Sequence, residues 1–146
     1  MDLVIRGADI YDGRGGSPYK GDVGVSDGRI AAVGVVDATG AEEIDASGLA
    51  LMPRIIDSHT HFDAQITWDP WCTPSPALGV TSVLIGNCGF TIAPCKAPDR
   101  DLIMKNLVQV EGMSLDVLRS GIAWDFETFP EYLDMLEAHG SALNVG

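Results

Sequence analysis

The chain has 146 residues, of which 46% are hydrophobic, 21 acidic and 9 basic, for a formal charge of −12. This is a globular composition, long enough for one ordinary domain, and its acidic balance argues against nucleic acid and membranes as partners, since nucleic acid and anionic membrane surfaces both want basic patches. No run reaches the length of a membrane-spanning helix and no basic segment precedes an apolar core at the N-terminus; the three cysteines lack disulfide-scaffold spacing, so the chain reads as cytoplasmic with reduced thiols.

Residues 2–6 alternate weakly and predict a strand closed by Gly7. The glycines of Asp12-Gly-Arg-Gly-Gly-Ser-Pro18 invite a phosphate-binding reading, but neither a strand-loop-helix frame nor Gly-Lys-Ser/Thr accompanies them, so they predict turns. Asp22–Val25 and Arg29–Val33 flank Ser26-Asp-Gly28, a hairpin signal; Glu42–Asp45 adds a short strand and Ala46-Ser-Gly48 a turn. Residues 1–50 therefore predict a small antiparallel β unit that does not close a core by itself.

From Leu51 the pattern changes. Pro53 can only open a strand, and Ile55-Ile56 is a short apolar run, which predicts a buried strand leading into Asp57-Ser-His-Thr-His-Phe-Asp63. Side chains two apart on a strand share a face, so His59 and His61 are placed to hold one divalent metal, and imidazole suits zinc. In isolation, a His-x-His pair is as often merely solvated. Asp57, two before His59, shares that face and could orient an imidazole, although an ordinary strand-end carboxylate is the simpler reading. Asp63 and Asp69 fall in the following loop, where they could touch substrate, although loop acids are more often solvated.

Val80–Ile85 predicts a second buried strand, ending at Gly86-Asn-Cys-Gly89. The roughly twenty residues between the strands leave room for a connection with a helical turn, as a parallel β-α-β unit requires. Parallel neighbours put both strand ends on one edge, where Cys88 can face the His59/His61 pair; the bland reading of a lone cysteine is a small buried apolar residue. Cys72 and Cys95 sit in proline-rich loops with no assigned role.

The remainder reads as helical. Asp99 caps a helix from about Arg100 to Val110 with Ile103, Leu107 and Val110 on one face, and Ser114 caps a shorter one with Leu115 and Leu118 inward, ended by Gly121. Thr128-Phe-Pro-Glu131 is a capping box whose helix places Phe129, Leu133 and Leu136 on one stripe and closes at His139-Gly140. His139 fits a helix C-terminal residue better than a ligand, and Trp124, Phe126, Phe129 and Tyr132 fit packing better than a binding box.

Five stretches together carry a resemblance: Pro53-Arg-Ile-Ile-Asp-Ser-His-Thr-His-Phe-Asp63, Thr67-Trp-Asp-Pro70, Gly79-Val-Thr81, Gly86-Asn-Cys-Gly89 and Trp124-Asp-Phe-Glu-Thr-Phe-Pro-Glu-Tyr132. The sequence resembles the metal-dependent amidohydrolase superfamily and, within it, the N-acyl-D-amino-acid deacylase (D-aminoacylase) family, over nearly the whole chain. Asp-x-His-x-His marks the superfamily; Gly-Asn-Cys-Gly points to the narrower family. The resemblance implies an α/β fold, with residues 1–50 forming part of a β-sandwich and residues 51–146 the first strands and helices of an incomplete (β/α)8 TIM-type barrel, a fold of roughly 250 residues when whole. It implies zinc as cofactor, with His59 and His61 as ligands from the first barrel strand and Cys88 from the second, and hydrolysis of the amide of a small-molecule N-acyl amino acid.

Two departures from the family pattern stand out. Arg54 occupies a position that is usually glycine; a glycine backbone angle there would cost arginine about 1 kcal/mol or more. The chain also stops at Asn144-Val-Gly146, which resembles the opening of a third barrel strand, whereas the family's further histidine ligands and catalytic aspartate lie beyond. The expectation is thus an N-terminal portion, inactive alone, with no catalytic residue assignable. A hydantoinase- or dihydroorotase-like cyclic amidase is a second expectation, opposed by Gly-Asn-Cys-Gly because that branch relies on a lysine-derived ligand later in the chain. A third is a non-catalytic metal-binding or oligomerising fragment, whose open strand edges would favour self-association.

Overall fold

In the computed structural model, which describes residues 1–146, the first strand does not stop at Gly7. β1 (Leu3–Ile10) runs through it on a bulge between Ile5 and Ala8, where Gly7 takes φ +68°. The Gly7 N–H donates to Asp22 Oδ1 at 2.9 Å. A buried backbone donor needs a partner, and the bulge finds one on the neighbouring strand.

The chain divides into two units, Met1–Pro53 and Arg54–Gly146. In the first, β2 (Tyr19–Ser26) and β3 (Arg29–Gly34) form the predicted hairpin, with Asp27 and Gly28 both at positive φ as a tight two-residue turn demands. The strand order is β3-β2-β1-β4, where β4 is Glu42–Asp45, and β5 (Ala50–Leu51) pairs with the far end of β1. The expected antiparallel unit needs correcting: β4 and β5 both run parallel to β1. The loop after β3 returns the chain to the start of β1, where Glu42 N–H donates to Asp2 O at 3.0 Å, so β4 enters in the direction of β1. Ala8, Ile10, Val23 and Ala46 make a small core. Arg6 spans three strands, with ion pairs to Asp22 at 3.2 Å and Glu43 at 2.8 Å.

The second unit holds a parallel three-stranded sheet in the order β6 (Ile55–Asp57), β7 (Val80–Val83), β8 (Asn144–Val145). The predicted parallel pairing of the first two strands is present, and two 3₁₀ turns, Gln65–Thr67 and Ser75–Leu78, lie in the connection between them. The expected burial of Ile55 and Ile56 is not found; Ile56 is 64% exposed. The helices α1 (Arg100–Glu111), α2 (Leu115–Gly121) and α3 (Phe129–His139) close instead on Ala64, Ile92 and Ala93, which follow the strands in sequence. Arg54 is exposed with negative φ, so the conformational cost of replacing a glycine does not arise.

The capping box at Thr128 is formed in both directions. Asp99, by contrast, does not cap: it belongs to a 3₁₀ turn, Ala97–Asp99, and its helical backbone leaves the carboxylate unable to reach back to the first turn. Ser114 has the extended backbone of an N-cap, but its hydroxyl makes no capping bond. The expected buried stripes are met only in part, Leu107 on α1 being inward as expected. On α1, Met104 and Leu107 are buried while Val110 is exposed. On α3, Tyr132 and Met135 face inward, turned by an edge contact of Tyr132 with Phe126 (ring centroids 5.0 Å apart), while Phe129 and Leu133 line an open cavity of about 800 Å³. Of the aromatic group, Trp124, Phe126 and Tyr132 are packing, as predicted, with the Arg100 guanidinium 5.2 Å from the Trp124 ring, whereas Phe129 is half-exposed. No helix is long and apolar enough to cross a membrane.

Candidate metal centre

β6 ends at Asp57, so His59 and His61 lie on the segment just after the strand rather than on it. They converge all the same, because the intervening residues are tied down. Asp57 Oδ1 accepts from the His59 N–H at 3.2 Å, so this carboxylate fixes backbone rather than an imidazole. Thr60, buried between the two histidines, donates through both N–H (3.3 Å) and Oγ1 (2.6 Å) to Leu84 O. The imidazole rings are 5.5 Å apart between centroids.

Past β7 the chain makes a tight turn across Gly86–Gly89, closed by Gly89 N–H to Gly86 O at 3.0 Å, with both glycines at positive φ. Asn87 and Cys88 occupy its middle. Asn87 Nδ2 donates to Ser58 O at 2.6 Å, which joins the turn to the histidine segment. The Phe90 N–H donates to Cys88 Sγ at 3.4 Å. One ligand atom from each of His59, His61 and Cys88 falls within 4.8 Å of the other two.

That donor set fits a divalent ion. Zinc bonds of about 2.0–2.3 Å put tetrahedral ligand atoms about 3.3–3.8 Å apart, so an inward shift of about 1 Å per pair brings all three onto one centre. Two imidazoles and a thiolate suit zinc better than calcium or magnesium, which take oxygen.

Two further carboxylates belong to this neighbourhood. Asp63 is not a solvated loop acid but 1% exposed. Its Oδ2 accepts from the Gly86 N–H at 3.1 Å, a second tie between histidine segment and cysteine turn, while Oδ1 has no partner. Burial pushes its carboxyl above the usual range, against the Gly86 N–H, which pulls it down. The buried Tyr132 hydroxyl donates to Asp63 O at 2.9 Å, linking α3 to the same segment. Glu111, the last residue of α1, has a side chain only 7% exposed and places Oε1 3.2 Å from His61 Nδ1. Its carboxyl too is raised by burial, with His61 opposing.

The other weighed residues lie apart from the site. Asp69 accepts from Gln65 Nε2 and from the N–H groups of Trp71 and Thr73, which commits it to its own loop. Cys72 and Cys95 are buried, and burial lifts the Cys72 thiol to about 11. His139 is exposed at the end of α3. Glu111 carried no local signal, because its partner is fifty residues away in sequence.

The amidohydrolase family profile matches residues 42–145. The N-acyl-D-aspartate deacylase of Alcaligenes xylosoxydans xylosoxydans is 39% identical over 99% of this chain and 27% of its own length. The D-aminoacylase of the same organism is 37% identical over 99% of this chain and 28% of its own. Among solved structures, the N-acyl-D-glutamate deacylase from Bordetella bronchiseptica, complexed with zinc and a phosphonate mimic of the tetrahedral intermediate, superposes with a TM-score of 0.73 at 34% identity. That match covers 99% of this chain and 28% of that one. The chain thus spans between a quarter and a third of the length of the relatives it matches. With the His-x-His segment and the Gly-Asn-Cys-Gly turn joined at one sheet edge, the chain belongs to the amidohydrolase family.

Proposed function

We propose that His59, His61 and Cys88 hold a zinc ion that serves the hydrolysis of the amide bond of an N-acyl-D-amino acid. The observation that carries this reading is the convergence of one imidazole nitrogen from each histidine and the Cys88 sulfur within 4.8 Å. The deacylases matched over nearly the whole chain, one of them solved with zinc, support both metal and substrate class.

When bound, zinc supplies Lewis acidity for polarising an amide carbonyl and for activating water near neutral pH. This chain's residues do the holding. The two imidazoles and the thiolate offer lone pairs, the Phe90 N–H donates to Cys88 Sγ, and the bonds from Thr60, Asn87 and Gly86 keep the ligand segments in register. The hydrolytic activity, its proton-transfer group and the closure of a (β/α)8 barrel around the site are proposed for a protein in which further residues complete this set, in keeping with the share of the relatives' length matched here.

Elemental analysis of the purified chain tests the reading. About one zinc per chain, lost in both His59→Ala and Cys88→Ala, is the expected result for a three-donor site. Zinc that is absent, or unaffected by both substitutions, contradicts it.

A further inference from the structure

Glu111 sits where local physics disfavours an acid. It ends α1, where the helix dipole already places negative partial charge, and no basic residue occupies the last turn. Its carboxylate is nearly out of solvent, beside Phe62, Val110 and Met113. Burial of a carboxylate demands a partner, and the side-chain partner here is His61 Nδ1 at 3.2 Å. An ionised carboxylate only accepts, so in the neutral ring this contact places the proton on Nδ1 and leaves the Nε2 lone pair free.

We propose that Glu111 is a positioning residue of the metal centre, fixing the His61 ring and the tautomer in which Nε2 is the donor nitrogen. The proposal rests on the metal-site reading above. A neutral imidazole free in water favours the other tautomer, with the proton on Nε2, so a ring without Glu111 would have to turn over and reorder its proton before ligating. Outer partners of this kind typically change metal affinity 10–100-fold.

Two measurements on the full chain test this, on wild type, Glu111→Leu and Glu111→Gln. Long-range proton–nitrogen NMR of the metal-free protein, with His61 assigned by its disappearance in His61→Ala, reports where the imidazole proton sits. Chelator competition gives the zinc affinity. Expected are an Nδ1–H imidazole in wild type, a shift to Nε2–H in Glu111→Leu, and about 10–100-fold weaker zinc binding in that variant. Glu111→Gln, whose amide oxygen still accepts from Nδ1–H, is expected between the two, and it carries the test if Glu111→Leu fails to fold. A metal-free melting temperature for Glu111→Leu no lower than wild type, alongside weakened zinc binding, separates positioning from a purely structural role. Wild type that binds zinc as tightly as both variants overturns the assignment of Glu111 and leaves the metal site standing, as does His61 already protonated on Nε2. Wild type that takes up no zinc overturns both.

Discussion

At the scale of single residues, the three cysteines separate into two kinds. Cys88 lies half-exposed at a turn, whereas Cys72 and Cys95 are buried, and desolvation raises both of their thiols. The thiolate is the reactive form, and with Cys72 lifted to about 11 only on the order of 0.1% of it is ionised at pH 8. Treatment of the metal-free native chain with a thiol-reactive disulfide at pH 8 is therefore expected to modify Cys88 first, the other two following only on unfolding. Rapid modification of Cys72 in the folded protein would contradict this. The nearness of His59, His61 and Cys88 was legible from spacing because each stands within a few residues of a strand end, while their reading as one ligand set came from the family resemblance. Glu111 was not, nor was the burial of Asp63. Their burial and partners come from contacts 23 and 50 residues away, which no local pattern records.

At the scale of elements, local chemistry was read best where it is self-contained. The Asp27-Gly28 turn and the Thr128–Glu131 capping box involve neighbours only, and both form as written in the sequence. The buried stripes of α1 and α3 and the exposure of β6 depend on which layer covers them, and there the periodicity alone pointed one residue away or to the wrong face. For the box, Thr128→Ala is expected to cost about 1 kcal/mol in urea unfolding. The Glu131 carboxylate accepts from the N–H groups of Glu127 and Thr128, which hold its pKa below the usual value. A lowered folded-state pKa contributes stability above the unfolded value that is lost as pH falls through the folded one. The stability difference between wild type and Glu131→Gln should accordingly be present at pH 7 and shrink on acidification below the carboxylate range. A difference that grows on acidification would contradict that sign.

At the scale of the molecule, the second unit exposes large apolar side chains. Ile56 on β6 is one; Phe129 and Leu133 on α3 are others, at the mouth of the cavity also lined by Leu84 and Leu143. Exposed apolar surface of this kind favours association. Sedimentation velocity on the isolated chain is expected to show a mass that grows with concentration, and a monomer across the accessible range would contradict it. The α/β class and the parallel pairing of β6 and β7 were legible because a run of apolar residues ending in small ones recurs at the right interval. The parallel entry of β4 and β5 beside β1 was not, since direction is set by where a loop returns the chain rather than by the strand residues themselves.

Two strand-end histidines and one turn cysteine are proposed to ligate the same ion, and cobalt substitution distinguishes that shared site from separate ones. Cobalt(II) added to the metal-free chain is predicted to produce an intense near-ultraviolet thiolate-to-cobalt band with visible absorption of tetrahedral character, the first lost in Cys88→Ala and both weakened in His59→Ala. Cobalt that binds with only weak octahedral absorption, or a thiolate band that survives Cys88→Ala, would contradict a shared site.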